Sequence, residues 1–189
     1  LTNKAFLVLL SRKENTFLGP GRTAGHSPGP GAGAKGRGME NSSLPVLAIG
    51  SDHAGFPLKS ALARWLRAAG YELHDFGVHA PERCDYPDYA HKVCRAVEEG
   101  AARFGILVCG TGIGMSMAAN RHPAIRCALV SEPLSAEFAR AHNDANVVAM
   151  GSRMIGEEMG IAILKTFLAT AYEGGRHDQR LAKLSPPTC

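Results

Sequence analysis

From residue 45 onward the chain alternates between short uninterrupted apolar runs and longer stretches in which apolar residues recur every third or fourth position. The runs VLAIGS (46–51), FGILVC (104–109), CALV (127–130) and VVAM (147–150) have strand length, and ELHDF (72–76) adds a shorter candidate. Between them the helical period predicts helices over 57–69, 88–99, a short piece ending near Asn120, 135–142 and 157–172. In the first of these, Leu58, Leu62, Trp65 and Leu66 share a face, Pro57 suits a first turn and Gly70 a stop. Strands that alternate with helices in this way predict an α/β fold, a five-stranded parallel sheet with helices on both faces. Ligands of such sheets bind at the carboxyl ends of the strands.

Residues 1–43 follow no such pattern. The stretch GPGRTAGHSPGPGAGAKGRG (19–38) is too rich in Gly and Pro to bury the apolar surface that would offset its backbone entropy, so a disordered basic extension is expected, followed by one domain over 44–189. Met39 is the expected natural start. A targeting segment is the alternative, because the extension is acid-poor, although it lacks an amphipathic helix or a cleavage pattern.

The extension holds six basic residues against two acidic ones, which accounts for the whole net charge of +4. Residues 44–189 are balanced, and no nucleic-acid partner is implied. No apolar run reaches the roughly 18 residues a membrane span needs. The five cysteines form no C-x-x-C pair and are odd in number, which favours reduced thiols in a cytoplasmic setting over a disulfide framework.

The unusual polar residues cluster at strand ends. Asp52 and His53 follow the first strand, Cys109 and GTGIG (110–114) end the third, His142, Asn143 and Asp144 precede the fifth, and Arg153 follows it. This convergence predicts one site. In CGTGIGM the glycines permit a tight turn whose N–H groups face an anion, and the same field favours a thiolate at Cys109. A thiolate beside an oxyanion cradle suits proton abstraction next to a carbonyl. Taken alone, the segment fits a buried core cysteine before an ordinary turn equally well.

Other motifs fail on inspection. Met115 stands where a dinucleotide fingerprint needs its third glycine, and also where a cysteine phosphatase wants its arginine; the Gly-Lys-Ser/Thr of a P-loop is absent. Asp52 reads as a helix cap or as half of a proton-transfer pair with His53. His142 reads as a general acid or as part of a polar helix end. Arg176 and Arg180, four apart, suit a phosphate dianion but are also ordinary solvated residues, and Arg153 beside a strand end is the better phosphate candidate.

Together, GSDHAGFPLK (50–59), DYPDYA (85–90), ILVCGTGIGMSMAAN (106–120), SEPLSAEFARAHNDANVVAMGSR (131–153) and YEGGRHDQR (172–180) resemble type B ribose-5-phosphate isomerases of the ribose/galactose isomerase family. The resemblance implies a Rossmann-like domain and interconversion of ribose 5-phosphate with ribulose 5-phosphate, a step of the pentose phosphate pathway. It implies a small sugar-phosphate substrate, no cofactor, no metal, and a homodimer whose tail arginines complete the partner's site. By resemblance Cys109 is the base, Thr111 supports it, and the backbone of Gly110, Thr111, Gly112, Ile113 and Gly114 holds the oxyanion. His142 opens the sugar ring with help from Asp52, and Asn143 and Tyr86 hold the sugar. His53, Arg153, Arg176 and Arg180 take the phosphate. The alternatives are an isomerase of a six-carbon aldose phosphate, allose or galactose 6-phosphate, and a non-catalytic phosphosugar-binding module.

Overall fold

The computed structural model describes residues 44–184; the expected extension, Met39 and Cys189 lie outside them. Strands β1 (Leu47–Ser51), β2 (Leu73–Asp75), β3 (Phe104–Cys109), β4 (Cys127–Leu129) and β5 (Val147–Gly151) form one sheet in the order β2-β1-β3-β5-β4. Every neighbouring pair is parallel. The three central strands are buried at every position, which is why each reads as a continuous apolar run. β2 and β4 are short, partly exposed edges, and their sequence signal is correspondingly weaker.

The helices are α1 (Phe56–Ala68), α2 (Tyr86–Glu98), α3 (Ile113–Ala119), α4 (Pro133–Ala141), α5 (Glu157–Ala169) and the short α6 (Asp178–Leu181). On one face, Leu62 and Leu66 of α1, Ala136 of α4 and Phe167 of α5 pack over Ile49, Ile106 and Val148. On the other, Val93 of α2 and Met115 of α3 pack over Ala48, Leu107 and Ala149. No helix among the described residues is long and apolar enough to cross a membrane.

Two of the boundaries that differ from expectation have a local cause. α2 begins at Tyr86 because Pro87, lacking an N–H, fits a first helical turn. α5 stops at Ala169, where Thr170 turns extended (ψ 125°), so Tyr172 lies beyond it and the chain continues into a 3-10 turn at Gly175–His177.

The chain order creates a crevice. β1 leads through α1 to β2 on one side, whereas β3 leads through α3 towards β4 and β5 on the other. α1 and α3 therefore diverge to opposite faces, and the carboxyl ends of β1 and β3 open between them, where ligands of such sheets bind.

Candidate active site

Cys109 closes β3 in that crevice and is 5% exposed. Its Sγ accepts a hydrogen bond from the Gly112 N–H at 3.1 Å. Gly112 adopts φ 77°, and a Cβ there would stand 2.9 Å from the carbonyl carbon of Met150, so both the turn and the space require glycine. The Ile113 N–H reaches the Thr111 hydroxyl at 3.4 Å. Among the described residues, the N–H groups of Gly110, Thr111 and Gly114 have no protein acceptor, leaving free backbone donors in the turn that follows the sulfur.

The neighbouring loops lock onto this turn. The Asp52 carboxylate is 6% exposed and accepts from the Gly55 N–H at 2.8 Å, so it braces the loop ahead of α1 rather than capping the helix, whose N-cap is Gly55 with no side-chain bond. Gly55 in turn lies flat on the end of β3: a Cβ there would collide with the Val108 carbonyl and sit 3.0 Å from the Cys109 nitrogen. From the β5 side, the Ser152 N–H donates to the Cys109 carbonyl at 2.9 Å and the Ser152 hydroxyl to the Ala54 carbonyl at 2.7 Å. The Arg153 N–H donates to the Gly110 carbonyl at 3.0 Å, and its guanidinium lies over Gly110.

Tyr86 lays its ring on Gly114, where a Cβ would stand 2.6 Å from Cζ. His53 accepts at Nδ1 from the Cys84 N–H at 3.3 Å, which puts the proton of a neutral ring on Nε2 and leaves that N–H as a donor. Asp52, His53, Tyr86, Cys109, the 110–114 turn and Arg153 thus share one pole of the sheet.

His142 and Asn143 do not join them within one chain, which corrects the expectation that the strand-end residues converge there. Arg176 and Arg180, expected to serve a partner's site, also lie apart from the Cys109 pole. Residues that precede a parallel strand sit at its amino edge. Cys109 pairs with Gly151, but Gly105, at the other end of β3, pairs with Val147 and donates to the Asn146 carbonyl at 2.9 Å. The two ends are four residues apart, roughly 13 Å along the strand.

At this amino pole His142 caps α4 and stacks between Phe138 (4.9 Å, 17°) and His177 (4.5 Å, 10°). Glu173 Oε2 lies 3.8 Å from His142 Nε2 and 3.6 Å from His177 Nε2. Asp144, at φ 43°, pairs with Arg126 at 2.6 Å and Arg140 at 2.8 Å, which fixes the backbone beside Asn143. Among the described residues Arg153, Arg176 and Arg180 have no carboxylate within ion-pair distance.

His142, Glu173 and His177 approach as three metal ligands would. The two imidazole planes are 10° from parallel, however, so their in-plane lone pairs do not converge on one ion. Burial first, then His142 and Arg176, holds the His177 pKa below its ordinary value. Elsewhere burial pushes the Cys94 thiol up to about 12 and also raises Cys127, which sets these core thiols apart from nucleophilic chemistry. All four described cysteines are unpaired.

Sequence reasoning passed over Gly55, Cys84, Ser152, Glu173 and His177. Glu173 and His177 carried a signal, a carboxylate and an imidazole four apart around a Gly-Gly pair. Gly55, Cys84 and Ser152 act through backbone contacts between distant segments, which no local pattern reveals.

Fold and site define the class: a doubly wound parallel α/β protein with a cysteine-headed, glycine-rich turn at its switch point. A family model described as Ribose/Galactose Isomerase matches residues 47–184, and the chain belongs to that family. It is 47% identical over 142 residues to ribose-5-phosphate isomerase B of Escherichia coli (strain K12), covering 75% of this chain and 95% of that one. Among solved structures, a ribose 5-phosphate isomerase from Thermotoga maritima is similar at 47% identity and TM-score 0.73, over 74% of this chain and 96% of that one. Type B ribose 5-phosphate isomerase from Trypanosoma brucei is similar at 51% identity and TM-score 0.68, over 72% and 94%.

Proposed function

We propose that this chain interconverts D-ribose 5-phosphate and D-ribulose 5-phosphate, with Cys109 as the base that moves a proton between C2 and C1. The observation that carries this reading is the Cys109 sulfur at the switch-point crevice, 3.1 Å from the Gly112 nitrogen, at the head of a turn whose Gly110, Thr111 and Gly114 N–H groups have no protein acceptor among the described residues. Family membership and the ribose 5-phosphate isomerases it resembles support the substrate.

The chemistry runs in two stages. His142, aided by Asp52, opens the furanose: the ring oxygen O4 gains a proton, the C1–O4 bond breaks, and O1 loses its proton to become the aldehyde oxygen. The Cys109 thiolate then takes the C2 proton, and the electron pair moves through a C1–C2 double bond onto O1. The backbone of residues 110–114 stabilises that oxyanion, with Thr111 beside it. Cys109 returns the proton to C1 while the O2 hydroxyl proton passes to O1, so that O2 becomes the ketone oxygen and O1 a hydroxyl, which gives the ketose. Asn143 and Tyr86 hold hydroxyls, and His53, Arg153, Arg176 and Arg180 hold the phosphate. Remote phosphate binding positions the reacting carbons, and no step is assigned to a metal or cofactor.

The working site lies between two copies in a homodimer, each giving its Cys109 pole to the other's His142 pole. The separation of the poles along β3 supports this arrangement. So do exposed apolar side chains at both: Ile113, Met117 and Met154 near the cysteine turn, and Phe138 beside His142. Free thiols fit a reducing, cytoplasmic setting.

The test is conversion of ribose 5-phosphate by the purified protein in chelator, beside allose 6-phosphate and galactose 6-phosphate. Turnover of ribose 5-phosphate with the highest kcat/KM is expected. Turnover confined to a six-carbon sugar would overturn the substrate, and none on any sugar would overturn the activity.

A further inference from the structure

We infer that Glu173 and His177 are positioning residues that fix the imidazole of His142 for ring opening, an inference that rests on the role proposed for His142. His142 terminates α4 and keeps a third of its side chain exposed, so its ring needs neighbours to hold one orientation. Phe138 covers one face and His177 the other, both near-parallel. This sandwich fixes the ring plane. It does not distinguish the two flipped orientations, which exchange Nδ1 and Nε2 within the same plane.

Glu173 breaks that degeneracy. Its Oε2 lies 3.8 Å from His142 Nε2, a distance suited to a Coulombic or water-bridged contact. The same oxygen is 3.6 Å from His177 Nε2, but that nitrogen accepts from Arg176 Nε at 3.3 Å, so the His177 proton sits on Nδ1. His177 therefore has no Nε2–H to offer Glu173, and the carboxylate is left to His142. Burial of the His177 ring, 4% exposed, maintains the neutral form that this requires.

The segment that carries both residues is built to hold them. The Glu173 N–H donates to the Ala141 carbonyl at 3.0 Å, one residue before His142. Gly174 (φ 66°) and Gly175 (φ 61°) turn the chain back, and the Tyr172 hydroxyl donates to Asp178 at 2.7 Å across the turn. Glu173 and His177 are thereby brought to one side of the loop, against His142.

The experiment compares Glu173→Gln, Glu173→Ala, His177→Phe and His177→Ala with the parent full-length protein in two assays. The first is steady-state isomerisation of ribose 5-phosphate, which enters largely as a furanose. The second is exchange of the C1 hydrogen of ribulose 5-phosphate in D2O, which needs the Cys109 step but no ring opening, because the phosphate on O5 keeps this ketose acyclic. Glu173→Gln and His177→Ala are expected to lower kcat for ribose 5-phosphate at least about tenfold, with KM changed little and exchange preserved. His177→Phe, which keeps a stacking ring, retains most of the activity. Isomerisation and exchange lost together in the near-isosteric Glu173→Gln, or unchanged isomerisation in both Glu173 variants, would overturn the inference. Absence of both activities in the parent protein would instead overturn the proposed function.

Discussion

Cys109 and His142 lie at opposite ends of the sheet. Cys109 closes β3 beside Gly151, whereas His142 belongs to the loop that feeds β5 where β3 begins, next to the contact between the Gly105 N–H and the Asn146 carbonyl. Two groups assigned to one reaction on one sugar cannot both reach it within a single chain. Under the proposed roles the chemistry requires two paired copies, and a defect at either pole should silence sites in trans.

Removing the base has a specific consequence. Cys109→Ala is expected to abolish isomerisation and C1 exchange while leaving sugar-phosphate affinity within a few-fold, since phosphate and hydroxyl contacts lie elsewhere. Arg176→Ala should do the reverse and mainly raise KM. Isothermal titration with a sugar phosphate beside turnover assays separates the two, and unchanged turnover in Cys109→Ala would remove the proposed base.

A structural test concerns Lys59, 2% exposed, whose ammonium bonds Asp75 at 2.9 Å and the Val78 carbonyl at 2.9 Å. It pins α1 to the loop that carries Cys84, the partner of His53. Lys59→Met leaves the Asp75 carboxylate uncompensated and should cost about 3–5 kcal/mol in denaturant unfolding. Pairing it with Asp75→Leu should recover much of that loss.

Gly55 offers a test without charge. Because its Cβ would collide with the Val108 carbonyl, Gly55→Ala must displace either the Asp52 turn or the end of β3. Thermal melts should show a loss of at least about 1–3 kcal/mol, and kcat should fall as Cys109 shifts.

The pH dependence of stability follows from His177. Burial, His142, Arg176 and Arg180 hold its pKa below the ordinary 6.5, against an opposing pull from Glu173. Below that value the unfolded chain binds a proton that the folded chain refuses, so stability rises with pH through this window and falls on acidification. Melting temperatures measured from roughly pH 7 down to pH 5 should decline, and His177→Phe should flatten part of the decline.

Much of this architecture is written locally. FGILVC is a strand because every one of its side chains is buried by helices on both faces, and the same holds for VVAMG. The cysteine turn is legible because Gly112 must be left-handed and Gly114 must admit the Tyr86 ring. What misleads is direction: HND next to a strand looks like part of the same cluster as CGTGIG until the parallel register sets it at the other edge. Pro87 misleads in another way, because proline reads as loop although it suits the first turn of α2. Glu173 and His177 gain meaning only through His142, more than thirty residues earlier in the chain.

The most direct measurement is complementation between two inactive variants. Cys109→Ala and His142→Ala proteins, each lacking ribose 5-phosphate isomerase activity, are mixed, unfolded and refolded together. In randomly paired mixed dimers one of the two sites is intact, so recovery to about a quarter of wild-type activity is expected for a two-fold dimer. No recovery, with mixed dimers shown to form by mass spectrometry, would contradict a site shared between the Cys109 pole of one copy and the His142 pole of its partner.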